Sequence, residues 1–95
     1  MWVLWTIVDS SGVLLGIFTQ GDFTRRVIDD RTVLDREIAA VMTRNPRMAR
    51  TADLLADAHR IFEEHRINVL PVVDAEGRLA GVLEVQDVLA FGVAL

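Results

Sequence analysis

The chain repeats itself. Read from Val8 it runs Val-Asp-Ser-Ser-Gly-Val-Leu-Leu-Gly-Ile-Phe-Thr-Gln-Gly-Asp22, and from Val73 it runs Val-Asp-Ala-Glu-Gly-Arg-Leu-Ala-Gly-Val-Leu-Glu-Val-Gln-Asp87. Asp9 and Asp74, Gly12 and Gly77, Gly16 and Gly81, and Asp22 and Asp87 are each 65 positions apart. Four punctuating residues at one offset mean that a single supersecondary pattern is used twice. Ninety-five residues bury only about 60–65% of the surface that the unfolded chain exposes, so one modest core is all such a chain makes alone.

Each copy opens with a β-branched apolar run, Thr6-Ile7-Val8 and Val69 to Val73, then meets an Asp-x-x-Gly turn and a second apolar run that leads into a helix. That order is a hairpin followed by a helix. Asp9 and Asp74 suit the turn because a carboxylate can accept from the backbone two residues on, and Gly12 and Gly77 tolerate positive φ. Gly16 and Gly81 fall inside strands, where glycine marks a close approach by a neighbouring strand or by a ligand. Between the copies, Leu54, Leu55, Ala58, Ile61 and Phe62 recur at helical spacing, with Thr51 as the expected cap and Asp53 in the first turn. Glu63, Glu64 and Arg66 read as the solvated face of that helix. Asn45-Pro46 is a turn, and Arg47 to Arg50 a short strand. From residue 38 the expected order is short helix, strand, helix, hairpin, helix.

Composition narrows the function classes. A net charge of −4 gives no long-range attraction to nucleic acid or to an anionic membrane, and no basic patch interleaved with aromatics is present. No apolar run reaches the roughly 18 residues of a membrane span. Met1 to Trp5 has no basic flank before it and no small-residue cleavage site after it, so it does not read as a signal peptide. The chain has no cysteine, which excludes a disulfide framework, a thiol nucleophile and a cysteine-based zinc site, and fits a reducing cytoplasm. With 52% hydrophobic residues and a mean hydropathy of +0.32, self-association is expected.

The order of helix, strand and hairpin carries a family resemblance. With Val41-Met42-Thr43-Arg44-Asn45-Pro46 near its start and Leu70-Pro71-Val72-Val73-Asp74 in its hairpin, the segment from about Ile38 to Val93 resembles a complete cystathionine-β-synthase (CBS) repeat. Gly16-Ile17-Phe18-Thr19-Gln20-Gly21-Asp22 followed by Arg25-Arg26, the Met-Thr-x-Asn-Pro element, and the ending Asp87-Val88-Leu89-Ala90-Phe91-Gly92-Val93 are similar to the C-terminal CBS pair of sugar-phosphate isomerases acting on arabinose 5-phosphate. The implied fold is mixed α+β with a β-α-β-β-α repeat, present as one complete copy at 38–95 and a partial β-β-α copy at 1–31, joined by a linker at 32–37. Thirty-five residues separate Ile38 from Val73, whereas seven precede Val8, so the first copy is expected to lack its leading strand and helix. The shared offset sets Trp2 opposite Ile67 and Trp5 opposite Leu70. A homodimer that buries these tryptophans is expected.

In the resembled family, Gly-hydrophobic-x-Thr/Ser-x-x-Asp holds an adenosine-type nucleotide, the hydroxyl near phosphate and the carboxylate on ribose hydroxyls. The resemblance therefore implies Gly16, Thr19, Gly21 and Asp22 as ligand-binding candidates in the first copy, and Gly81, Glu84 and Asp87 in the second. Aspartate can accept from two vicinal hydroxyls, and a helix N-terminus offers free N–H groups to phosphate. Read without the family, Thr19 and Asp22 are caps of a helix at 22–29. Glu84 stands where the threonine should be, and a carboxylate there repels phosphate. The first pocket is expected to have its polar groups but only half its walls, so that a partner must restore it, and the second to have walls but the wrong polar group.

Nothing in the chain assembles into a catalytic site. His59 and His65 are six apart on one helix, outside the three- or four-residue spacing that lets two ligands share a metal. Asp29-Asp30 and Glu63-Glu64 are adjacent pairs on solvated segments, and no nucleophile elbow or glycine-rich phosphate loop occurs. The expected function is a regulatory module rather than an enzyme. It requires no cofactor, has AMP, ATP or a nucleotide-sugar as its possible ligand, and has a sugar-isomerase domain as its possible partner. The alternatives are a fragment that only dimerises, and an arabinose 5-phosphate isomerase truncated of its catalytic domain.

Overall fold

The structure, a computed structural model, describes residues 4–86. Two three-stranded sheets are built from the two copies. Strands β1 (Leu4–Val8), β2 (Leu14–Thr19) and β3 (Thr43–Arg44) form the first, and β4 (Ala49–Arg50), β5 (Val69–Val73) and β6 (Leu79–Glu84) the second. Helix α1 (Gln20–Asp29) follows β2, a 3-10 turn covers Arg31–Asp35, α2 spans Ile38–Val41, and α3 (Leu55–His65) connects β4 to β5. Residues 85 and 86 are helical, and residues 87–95 lie outside the described part of the chain. The architecture is the mixed α+β arrangement expected from the repeat.

The two hairpins match in detail. Antiparallel β1 and β2 pair Ile7 with Gly16 and carry a bulge between Ile7 and Val8, while β5 and β6 pair Val72 with Gly81 and carry a bulge between Val72 and Val73. In the first turn the Asp9 carboxylate accepts from the amides of Ser11 and Val13 at 2.8 and 3.0 Å. In the second, Asp74 accepts from Glu76 and Arg78, both at 2.9 Å. Gly12 and Gly77 complete the turns at φ +86° and +81°, a region where a side chain is strained.

The copies meet turn against turn. Val13 and Arg78 form an antiparallel bridge, with the Leu14 amide donating to the Gly77 carbonyl at 3.0 Å and the Leu79 amide donating to the Gly12 carbonyl at 2.9 Å. Val13 and Arg78 are themselves 65 apart, as are Leu14 and Leu79, and Gly12 and Gly77. A local two-fold axis therefore passes through this bridge and relates the hairpins.

Two apolar clusters flank the axis. Ala49, Ala58, Phe62 and Leu70 are buried together beneath α3, with Ile61, Ile67, Val72, Leu83 and Val85 packed around them. Phe18, Val41 and Met42 form the second cluster, joined by Ile7 and Val33. Pro71, fully buried in the central strand β5, lacks an amide to donate, and β4 pairs only with its neighbours Val72 and Val73, so the missing donor sits where that ladder ends.

The start of α3 differs from the sequence reading. Thr51 is not its cap. Residues 51–53 form a turn in which the Asp53 carboxylate accepts from the Arg50 amide at 2.9 Å, and Asp57 accepts from the Leu54 amide at 3.0 Å at the true helix start. The Asp side chains satisfy these amides, so Leu54 and Leu55 stay largely outside the core while Ala58 and Phe62 enter it. Gly81 differs too. A Cβ on Gly16 would meet Met42 Sδ and the Thr43 carbonyl, each at 2.7 Å, whereas one on Gly81 meets nothing within 4 Å among the described residues. The close approach at Gly16 is made by β3, a strand the sequence pattern did not reveal.

Candidate functional site

Thr19 ends β2 in an extended conformation, and its Oγ1 accepts from the Asp22 amide at 3.0 Å, capping an α1 that begins at Gln20, earlier than expected. The cap leaves the Thr19 hydroxyl hydrogen available to an acceptor. Asp22 sits in the first turn of α1, where its charge complements the helix dipole, and its carboxylate pairs with Arg25. Gly21 lies between Thr19 and Asp22 with open space beside it: a Cβ there would find its nearest atoms, Thr19 Oγ1 and Arg25 Nη1, at 3.9 and 4.0 Å.

These residues line a cleft of about 860 Å³, within the size range of small-molecule sites. Its opposite wall comes from the second copy: Pro46, Arg47 and the run Arg66-Ile67-Asn68-Val69. The expectation that the first pocket has only half its walls is therefore corrected. Strand β3 pairs antiparallel with β2 at Gly16 and Ile17, and the chain that leaves it, turning at Asn45 with φ +50°, brings Pro46 and Arg47 to the cleft. The two-fold arrangement brings the end of α3 and the first residues of β5 to the same cleft. Among the described residues this wall is supplied crosswise, by the other copy within one chain.

Of the other candidates, Gly16 does not line this cleft, because Met42 and Thr43 cover it. Gly81 and Glu84 lie on β6, away from Thr19, and Asp87 lies outside the described residues. His59 is buried on α3 and His65 is exposed, so they do not share an environment. Among the described residues no group of three or more His, Cys, Asp or Glu side chains comes together, and no helix is long and apolar enough to cross a membrane.

Sequence reasoning passes over Arg47, Arg66 and Asn68. The helical pattern puts Arg66 on the solvated face of α3, whereas it lies one residue past the helix end at φ +50° and ψ +41°. The signal is its place between a helix pattern and a β-branched run, where the chain must reverse and a left-handed residue is commonly required.

Comparison with known proteins agrees with the fold. The model of the CBS domain family matches residues 36–93. The arabinose 5-phosphate isomerase KdsD of Pseudomonas aeruginosa is 42% identical over 90 residues, which cover 92% of this chain and 27% of that protein. The chain thus spans about a quarter of that relative's length. The crystal structure of CBSX2 in complex with AMP superposes with a TM-score of 0.81 at 26% identity, over 95% of this chain and 70% of that one. The CBS domain pair of protein MJ0100, in complex with 5′-methylthioadenosine and S-adenosyl-L-methionine, superposes with a TM-score of 0.80 at 26% identity, over 94% of this chain and 68% of the other.

Proposed function

The chain belongs to the CBS domain family, and from that premise we propose that it is a regulatory module whose cleft between the two copies takes an adenosine-type nucleotide. The observation that carries this reading is the assembly of Thr19, Gly21 and Asp22 from one copy against Pro46, Arg47 and Arg66–Val69 from the other. In that cleft the Asp22 carboxylate accepts from the ribose hydroxyls, exchanging part of its pairing with Arg25. The Thr19 hydroxyl and the free amides at the start of α1 face phosphate. Residues 1–31 act as the partial first copy, 32–37 as the linker and 38–95 as the second copy. Similar solved modules hold AMP, 5′-methylthioadenosine and S-adenosyl-L-methionine, which supports the ligand class. The likeness to an isomerase of arabinose 5-phosphate supports a sugar-phosphate isomerase domain as the partner whose activity the module adjusts, in the cytoplasm. The module itself performs no reaction.

The experiment is thermal unfolding with and without AMP, ATP, S-adenosylmethionine, 5′-methylthioadenosine and a CMP-linked sugar. A ligand at 100 times its dissociation constant stabilises the fold by about 2.7 kcal/mol. The expected result is a rise in Tm with an adenosine compound and a loss of that rise in Asp22→Ala. No shift with any compound overturns the reading and favours a scaffold.

Dimerisation is part of the same proposal, and internal symmetry supports it. Leu70, beneath α3, and Val73 are 0% and 1% exposed, while their counterparts Trp5 and Val8 are 49% and 42% exposed. Trp5 leans on Phe23, itself exposed, at a centroid distance of 6.4 Å. Covering such side chains is worth about 1.5–3 kcal/mol each, and a second copy of this chain is the occupant that covers both faces at once. Light scattering is expected to give twice the chain mass, with blue-shifted tryptophan emission. A stable monomer with water-exposed tryptophan contradicts it. Trp2 lies outside the described residues.

A further inference from the structure

Four charged side chains line the cleft: Asp22, Arg25, Arg47 and Arg66. Asp22 and Arg25 pair with each other. Neither Arg47 nor Arg66 has a carboxylate within ion-pair distance among the described residues, where the ion pairs are Arg25–Asp22 and Arg60–Asp57. A chain of net charge −4 thus concentrates at one opening two guanidinium groups that have no ion-pair partner among the described residues.

The backbone at Arg66 is unusual as well. The residue that stops α3 adopts the left-handed conformation, which glycine takes without steric penalty and a residue with a Cβ takes under strain. Arginine at this position gives up backbone comfort and in return sets a guanidinium on the cleft wall. Next to it Ile67, Asn68 and Val69 line the same wall, so the strained residue lies where the chain turns from helix into the strand that faces the ligand space.

From these two observations we infer that Arg47 and Arg66 form a phosphate-recognition pair that selects adenosine 5′-polyphosphates over uncharged or cationic adenosine derivatives. The inference rests on the reading of the cleft as an adenosine site and adds the ligand's charge class. Two planar guanidinium groups match the oxygens of a di- or triphosphate chain, and hydrogen bonds between charged groups are roughly twice as strong as neutral ones. S-adenosylmethionine carries a sulfonium and an ammonium against one carboxylate, and 5′-methylthioadenosine carries no charge. Neither answers this pair of cations.

The test is calorimetric titration of the full chain at fixed ionic strength, without divalent cations, with adenosine, 5′-methylthioadenosine, S-adenosylmethionine, AMP, ADP and ATP. The expected order is ATP and ADP tightest, AMP next, and the unphosphorylated compounds weakest by about tenfold or more. Arg66→Gly, which suits the left-handed backbone, is expected to keep or raise the ligand-free Tm. It lowers ATP affinity about tenfold and leaves adenosine affinity within about twofold. Arg47→Ala, at an exposed position, gives the same split should Arg66→Gly fail to fold. Arg60→Ala removes the same charge from α3 away from the cleft and leaves both affinities unchanged. Binding of all six compounds within about twofold of one another, or equal losses for adenosine and ATP in the cleft variants, overturns this inference and leaves the adenosine site standing. Binding of none overturns both.

Discussion

Leu70→Ala is expected to lower the stability of the chain by about 3–5 kcal/mol. Leu70 is 0% exposed and packs with Ala49, Ala58 and Phe62 at the centre of the cluster beneath α3. Two of those neighbours are alanines, which have no side-chain length with which to close the void, so most of the cavity term persists. A domain of this size has a total stability near the low end of about 5–15 kcal/mol, and the variant therefore approaches the unfolding midpoint in dilute urea. Equilibrium urea denaturation measures it, with Ile28→Ala as the comparison. Ile28 is 76% exposed, and its truncation should stay within about 0.5 kcal/mol. A loss at Leu70 of under about 1 kcal/mol would contradict the packing described for α3 on β5.

Gly16→Val and Gly81→Val are expected to differ sharply despite occupying the same place in the repeat. At Gly16 the first added carbon already lies 2.7 Å from the Thr43 carbonyl oxygen and from Met42 Sδ. The Met42 side chain can shift, but the carbonyl belongs to the β3 backbone, held by pairing of Gly16 with Arg44 and Ile17 with Thr43. Relieving the clash means moving β3, and with it the wall that carries Pro46 and Arg47. The expected cost is about 3 kcal/mol, at the upper end for overpacking. At Gly81 no atom of the described residues lies within 4 Å of the added carbon, and a β-branched residue in a strand is favourable, so the change should be within about 1 kcal/mol of neutral. Urea midpoints of the two variants measure the contrast. Similar losses at both positions would mean that β3 does not close over β2.

The hairpins, their Asp-x-x-Gly turns and the interior face of α3 are legible in the residues, because each depends on contacts within a few positions. Asp9 and Asp74 accept from the amides that their spacing predicts, and Thr19 caps α1. Three features are not legible. At the start of α3 the Leu54 amide goes to Asp57, while Asp53 turns back to the Arg50 amide and Thr51 caps nothing, since several polar residues compete there and small backbone differences decide among them. Strand β3 is two residues long, too short for any alternation of polar and apolar residues to register. The two copies meet through the Val13–Arg78 bridge, a contact across 65 positions between two turns, and the cleft is lined by residues from 17 to 69. The repeat reveals that two equivalent units exist, but not that residues 46–69 of the second line the cleft at Thr19 of the first. For that reason Thr19, Gly21 and Asp22 can be named from the sequence, while Arg47 and Arg66 cannot.

The proposal that the cleft is a nucleotide site spanning both copies is tested most directly by following backbone amide signals of the isotopically labelled chain during titration with AMP. The account predicts that Gly21 and Asp22 from the first copy and Arg66, Asn68 and Val69 from the second move together along one binding curve, while Ala80 to Val82 on β6 stay in place. Movement confined to one copy, or no movement at saturating AMP and ATP, would contradict it.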